Sequence, residues 1–375
     1  MIRKFSVTNY KNFEKKITFD FSNVSDYQFN TNCLKNNLLN KAIIFGDNGS
    51  GKSNLGLALF DIVQVLTDCS LHPSMLEPIS FLNINGEDPV AKFEYEFLLD
   101  GKIVKYFYHK SSPIHLVYES LEVNGELVFA CDFVKKQIGQ FNSNLIGASA
   151  LSLEQYHWDL SFARYIYTNA SLQEYSVIKS LLEFVNSMLW FRCLQDNGYV
   201  GIRRGGQVLV EWIIENNYTD DFRKFLKDVA GLSFDLEAVV QTEPVPLKTI
   251  VVKGKTKAIQ FDPTASTGTH ALMLLYYWIK QFSKVKFVFM DEFDAFYHFE
   301  LAKGVLEKIV KEYTNIQVVF TSHNTVLASN ALLRPDCCFT LVNGEIKSFK
   351  DRTTRELRES HNIEKLLRSG EFDED

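Results

Sequence analysis

The run Gly46-Asp47-Asn48-Gly49-Ser50-Gly51-Lys52-Ser53 has the residue types and spacing of a phosphate cradle. Its glycines let successive backbone N–H groups converge on an anion. Lys52 can reach the β- and γ-phosphates of a nucleotide, and the Ser53 hydroxyl can join a Mg²⁺ shell. The context fits. Ala42-Ile43-Ile44-Phe45 before the loop reads as a buried strand, and Asn54-Leu55-Gly56-Leu57-Ala58-Leu59-Phe60 after it reads as a helix whose N-terminus faces the anion. Residues Gly46 to Asn54 are therefore a candidate nucleoside triphosphate site, where an isolated glycine turn would need neither the strand nor the helix.

A second set of chemically capable residues lies in the C-terminal half. Val285-Lys286-Phe287-Val288-Phe289-Met290 is an apolar run of strand length that ends in Asp291-Glu292. Two adjacent carboxylates at the end of a buried strand are costly unless they hold a metal and a water. Asp291 is the candidate Mg²⁺ carboxylate, and Glu292 the candidate base for the water that attacks a γ-phosphate. The next apolar run, Ile316-Gln317-Val318-Val319-Phe320-Thr321-Ser322, ends at His323, a candidate γ-phosphate contact because the C-terminal ends of parallel strands collect ligands.

Ala265-Ser266-Thr267-Gly268-Thr269-His270 opens the apolar helical stretch Ala271 to Ile279. Small polar residues and a glycine at a helix start can bind an anion through backbone N–H groups. Ser266 can equally be an ordinary helix cap.

In this order, phosphate loop, Ser-x-Gly helix start, Asp-Glu strand and histidine strand, the chain resembles the ABC-type ATPase superfamily. Ser266-Thr267-Gly268-Thr269 stands where that superfamily has its signature. The opening Ile2-Arg3-Lys4-Phe5-Ser6-Val7-Thr8-Asn9-Tyr10-Lys11-Asn12-Phe13 resembles the first strand and turn of RecF, SMC and OLD-family ATPases. Met290-Asp291-Glu292-Phe293-Asp294-Ala295-Phe296-Tyr297-His298 and Thr321-Ser322-His323-Asn324 resemble later motifs of the same branch. The tail from Arg355 to Leu366 is similar to the ending of short standalone ATPases of the RloA, AbiL and PARIS (AriA) type, which belong mainly to prokaryotic anti-phage defence.

The resemblance implies an α/β P-loop NTPase of ABC-ATPase head type, with a mixed central sheet, an antiparallel β subdomain and an inserted helical lobe. It implies ATP and Mg²⁺ as ligands and a homodimer or higher homo-oligomer in which Ser266 and Gly268 complete the neighbour's site. A separate effector such as a TOPRIM-type nuclease and a phage-encoded protein trigger are the implied partners. Three departures predict slow turnover: Gln64 lies within the phosphate-loop helix and is a poor Mg²⁺-sensing glutamine, His270 follows the signature, and Ala265 replaces a common glutamate. The rival readings are a RecF-like repair ATPase acting directly on DNA and a nonhydrolysing ATP-bound scaffold.

The 375 residues exceed one compact core, and the expected division is 1–145 for the first head half, 146–240 for the helical lobe and 241–375 for the second head half. A net charge of −6 argues against broad nonspecific coating of nucleic acid and leaves local DNA contact open. The chain opens on no signal peptide, and no apolar run reaches the ~20 residues of a membrane span, so it is expected in the cytoplasm without membrane contact. Cys33, Cys69, Cys131, Cys193, Cys337 and Cys338 show no C-x-x-C spacing and are expected to be reduced thiols, with no zinc.

The runs between Lys92 and Val128, broken by Asp100-Gly101 and Asn124-Gly125, predict hairpins. Residues 149–232 read as helices, with no heptad pattern long enough for a coiled-coil arm. Tyr165-Ile166-Tyr167 and Met188-Leu189-Trp190-Phe191 can be core or oligomer interface. Arg203-Arg204-Gly205-Gly206 reads as a solvated basic loop or a partner contact, and Glu371 to Asp375 as a frayed acidic tail.

Overall fold

The computed structural model describes residues 1–68, 80–192, 198–201, 208–243 and 247–373. Two seven-stranded sheets dominate it. The first is antiparallel throughout, in the order Gln137–Phe141, Glu126–Asp132, His115–Val123, Lys102–Ser112, Ala91–Leu99, Ile2–Thr8 and Ile17–Asp20. Ala91, Phe93, Tyr95, Phe97 and Leu99 alternate into the core, as the period of a half-buried strand requires. The predicted hairpins form, and their Asp100-Gly101 and Asn124-Gly125 turns carry positive φ at both central residues, matching the strand twist.

The second sheet runs Gly198–Gly201, Met188–Arg192, Phe287–Asp291, Gln317–Ser322, Lys41–Phe45, Cys338–Val342 and Glu345–Ser348. Its five inner strands are parallel and its two outer pairs antiparallel. The three central strands are buried along their whole length, which explains their unbroken apolar runs. The polar residues that open two of these strands are bonded. Lys41 Nζ donates to the carbonyls of Asn40, Tyr313 and Ile316, and burial pushes its pKa down to about 8. Gln317 takes the Ile2 N–H and donates to the Ile2 and Leu39 carbonyls, stitching the first antiparallel strand to the central sheet.

The helix Lys52–Leu66 packs against both sheets, and its apolar character on every side is the mark of a helix buried all round. On one side a Cβ at Gly56 would lie 2.9 Å from the Phe289 ring and 3.0 Å from that of Trp190, so only glycine permits this approach to the central sheet. On the other, Tyr95 Oη donates to the Ala58 carbonyl, while Asp61 accepts from Tyr108 Oη at 2.9 Å and from Lys110 Nζ at 2.8 and 3.0 Å. Lys110 and Asp61 are both buried; burial drives the lysine pKa down and the Asp61 carboxylate opposes it. Lys110→Met is expected to cost about 3–5 kcal/mol in denaturant unfolding because it strands the buried carboxylate, and Asp61→Leu added to it should recover most of the loss.

The helical expectation for 149–232 is corrected at two strands. Helices form at Phe162–Asn169, Val177–Asn186, Leu209–Glu215 and Thr219–Ala230, but Met188–Arg192 and Gly198–Gly201 are strands of the central sheet, the first parallel to Phe287–Asp291 and the second antiparallel to the first. Met188, Leu189, Trp190 and Phe191 are core, not interface; Tyr165 and Ile166 are also buried, while Tyr167 is exposed. The tail is also corrected. Phe372 is fully buried and stacks on Phe349 with centroids 4.2 Å apart, and Thr353 Oγ1 donates to Glu371, so the acidic end is docked as far as Asp373. Arg203 to Gly206, Cys69, Cys193, Glu374 and Asp375 lie outside the described residues. Cys33, Cys131, Cys337 and Cys338 are buried free thiols. Among the described residues no helix exceeds 15 residues or is long and apolar enough to cross a membrane.

Candidate nucleotide site

Three parallel strands bring the candidate residues to one edge. The histidine strand Gln317–Ser322 lies between the phosphate-loop strand Lys41–Phe45 and the acidic strand Phe287–Asp291. Ser322 pairs with Phe45, and Phe320 with Met290, so all three C-terminal ends come out level. The phosphate loop, the carboxylate pair and the histidine then follow from the strand directions alone.

Gly51, at φ +105, turns the loop into the helix Lys52–Leu66 in a backbone conformation that L side chains rarely adopt, and a Cβ there would lie 2.3 Å from Asn12 Nδ2. Asn12 braces the loop from outside: its amide donates to the Ser50 carbonyl at 3.4 Å and its carbonyl accepts from Asn54 Nδ2 at 2.7 Å. Asp47, Asn48 and Gly49 are exposed at the loop tip, Gly46, Ser50, Gly51, Ser53 and Asn54 are half-buried, and Lys52 is buried. Among the described residues, the buried Ser50 hydroxyl oxygen has no hydrogen-bond partner.

Lys52 Nζ donates to the Gly46 carbonyl at 2.8 Å and the Asp47 carbonyl at 3.1 Å, and lies 3.3 Å from His323 Nδ1. On its far side His323 Nε2 is 3.0 Å from Glu292 Oε1. An ammonium has no acceptor, so a hydrogen bond between Lys52 and His323 has Nζ donating to Nδ1, which leaves Nε2–H to donate to Glu292. Lys52, His323 and Glu292 thus form one chain across the site. Burial pushes the Lys52 pKa down, opposed by the carboxylates of Glu292, Asp291, Asp47 and Asp294.

Asp291 is buried at the end of its strand and accepts from Thr321 Oγ1 at 2.9 Å; the same hydroxyl accepts from the Glu292 N–H at 2.7 Å. Glu292 stands at φ +47, a left-handed conformation uncommon for a non-glycine residue and concentrated at functional sites. Asp294 Oδ2 accepts from Ser322 Oγ at 2.7 Å, and burial raises its pKa. Sequence reasoning did not single out Asn12, Asp294 or Thr321 as site residues. The available signal was their placement next to the loop, the acidic pair and the histidine.

Ser266 and Gly268 are placed apart from this cluster's hydrogen bonds. Ser266 caps the helix Thr267–Gln281, its Oγ accepting from the Thr269 N–H at 3.2 Å. A Cβ on Gly268 would meet the Phe296 carbonyl at 3.2 Å, so the helix start packs on the segment that follows the acidic pair. His270 Nε2 lies 3.0 Å from the Asp262 carbonyl oxygen, and Gln64 accepts from Lys110, engaged with the antiparallel sheet.

The donor set fits a nucleoside triphosphate with its metal. A backbone cradle, an unused hydroxyl and a buried ammonium face polyanion chemistry. Mg²⁺ commonly takes one or two carboxylates together with substrate phosphates, and Asp291 with the Ser53 hydroxyl offers that set.

Solved structures share this fold. An SMC head bound to the C-winged helix domain of ScpA matches with a TM-score of 0.53 and 16% identity, covering 92% of this chain and 97% of that one. The Smc head domain with an extended coiled coil bound to the C-terminal domain of ScpA, from Pyrococcus furiosus, matches with a TM-score of 0.50 and 14% identity, covering 92% and 95%. The chain therefore has the fold of an ABC-type P-loop ATPase head. It belongs to the family described as "AAA domain, putative AbiEii toxin, Type IV TA system", whose model matches residues 41–329. No curated protein sequence matches it.

Proposed function

We propose that this chain binds and hydrolyses ATP with Mg²⁺, and that a second copy completes its site. The observation that carries this reading is the convergence of Lys52, Asp291, Glu292 and His323 on one sheet edge beside the phosphate loop. Lys52 would leave its loop carbonyls for the β- and γ-phosphates, and Ser53 and Asp291 would hold the metal. Bound Mg²⁺ supplies charge neutralisation at the transferring phosphoryl group. Glu292 takes the proton of the attacking water, and His323, positioned between Glu292 and Lys52, contacts the γ-phosphate.

Ser266 and Gly268 complete the γ-phosphate site of the neighbouring subunit, so that ATP binding closes the pair and hydrolysis reopens it. The chain then works as a switch for a separate effector, a TOPRIM-type nuclease in an anti-phage system. This last step rests on the similarity of the motifs and tail to standalone defence ATPases; the family's description as an AAA domain supports the ATPase beneath it. Solved heads of this fold carry a bound partner protein, which supports an output through a partner.

The test is complementation between defective copies. Ser266→Arg should leave ATP binding near wild type while destroying hydrolysis and ATP-dependent dimerisation. A mixture of Ser266→Arg and Lys52→Ala chains can rebuild one composite site per dimer, so partial recovery of ATPase activity is expected. A Ser266→Arg chain that hydrolyses ATP normally as a monomer would overturn the shared site and leave Ser266 a helix cap only.

A further inference from the structure

We infer that Thr321 is the positioning residue that joins the metal carboxylate and the general base into one registered unit. The inference rests on the ATPase reading above and adds a residue to it.

Thr321 is fully buried on the strand between the phosphate-loop strand and the acidic strand. Its hydroxyl makes two bonds of defined polarity. Oγ1 accepts from the Glu292 N–H at 2.7 Å, which leaves its single proton for Asp291 Oδ1 at 2.9 Å. Threonine is branched at Cβ and stiff at χ1, so a buried threonine holds that hydroxyl in one direction. One end of the relay orients the Asp291 carboxylate. The other anchors the amide of Glu292, the residue at φ +47 where the chain leaves the sheet.

That turn sets where the Glu292 side chain goes. In the more common extended conformation, the residue after Asp291 would continue the strand, and its side chain would leave the edge on which His323 Nε2 meets Glu292 Oε1 at 3.0 Å. Thr321 therefore ties the base to the metal carboxylate, and the adjoining Ser322 ties Asp294 to the same strand through its Oγ at 2.7 Å. Two successive hydroxyls of the histidine strand thus hold the segment that begins at Asp291.

The test compares Thr321→Val, which keeps shape and removes the hydroxyl, with Thr321→Ser, which keeps the hydroxyl. Groups that orient metal ligands from behind typically change metal affinity or activity by about 10–100-fold. Thr321→Val should lower kcat by about that factor and leave the KM for ATP within about threefold. In calorimetric titrations of ATP at stepped Mg²⁺, its half-saturating Mg²⁺ should rise by about tenfold. Thr321→Ser should restore both. In the nucleotide-free protein, the Glu292 amide should exchange hydrogen faster in Thr321→Val than in wild type or Thr321→Ser, a readout that needs no ATP.

Wild-type Mg²⁺ dependence and wild-type amide protection in Thr321→Val would overturn the inference. So would unfolding of both Thr321→Val and Thr321→Ala while Thr321→Ser stays folded, because the hydroxyl would then serve folding alone. The two readings fail separately. Lys52→Ala that binds ATP like wild type sinks the nucleotide assignment, whereas loss of turnover in Glu292→Gln with none in Thr321→Val sinks the positioning role of Thr321 only.

Discussion

Replacing Glu292 by glutamine is expected to slow ATP hydrolysis by about 10²–10⁴-fold while ATP binding persists, the loss typical of removing a general base. The substitution is nearly isosteric. Its side-chain carbonyl can still accept from His323 Nε2, now 3.0 Å from Glu292 Oε1, and the bond from the backbone N–H to Thr321 is untouched. Asp291 keeps its donor from Thr321 as well, so the metal side of the site is preserved. Because ATP stays bound and unhydrolysed, the closed dimer should accumulate and appear as an ATP-dependent shift in size-exclusion chromatography with light scattering. Turnover at the wild-type rate would remove Glu292 from the role of base and make His323 the next residue to test.

Lys52→Ala is expected to weaken ATP binding by about 10²–10⁴-fold, measured by equilibrium titration. The buried ammonium is the cation that joins the loop carbonyls of Gly46 and Asp47 to the histidine. Charge-assisted hydrogen bonds to phosphate are the strong ones, and removing one partner of a desolvated charge contact costs about 3–5 kcal/mol. The carboxylates of Glu292, Asp291, Asp47 and Asp294, which oppose the effect of burial on the lysine, would then lose that ammonium as a counter-charge beside the phosphates. ATP affinity equal to wild type would overturn the phosphate-loop assignment.

The phosphate loop was legible because its chemistry is local. Glycine spacing, a lysine and a hydroxyl within eight residues specify a cradle wherever a strand precedes and a helix follows, and the structure supplies both at Lys41–Phe45 and Lys52–Leu66. The acidic and histidine strands were legible for a related reason: a strand buried on both faces must be apolar along its length, so polar residues stand out where it ends. The hairpins from Ala91 to Asp132 announced themselves by alternation and by Asp-Gly and Asn-Gly turns.

The strand Met188–Arg192 shows the limit. Five residues are too few to separate a 2.0 from a 3.6 period, and the partner that makes them a strand, Phe287–Asp291, lies far along the chain. Phe372 reads as part of a charged tail until Phe349 is placed beneath it. The relay from Glu292 through Thr321 to Asp291 joins neighbouring strands and depends on their register, which no local pattern encodes. By itself, the sequence determined which short segments have the residue types for phosphate, metal and proton chemistry, because glycine geometry and the cost of burying charge act within a few residues. Only the tertiary structure decided strand order and register, and with them which side chains meet, because those follow from burying whole faces of distant segments against one another.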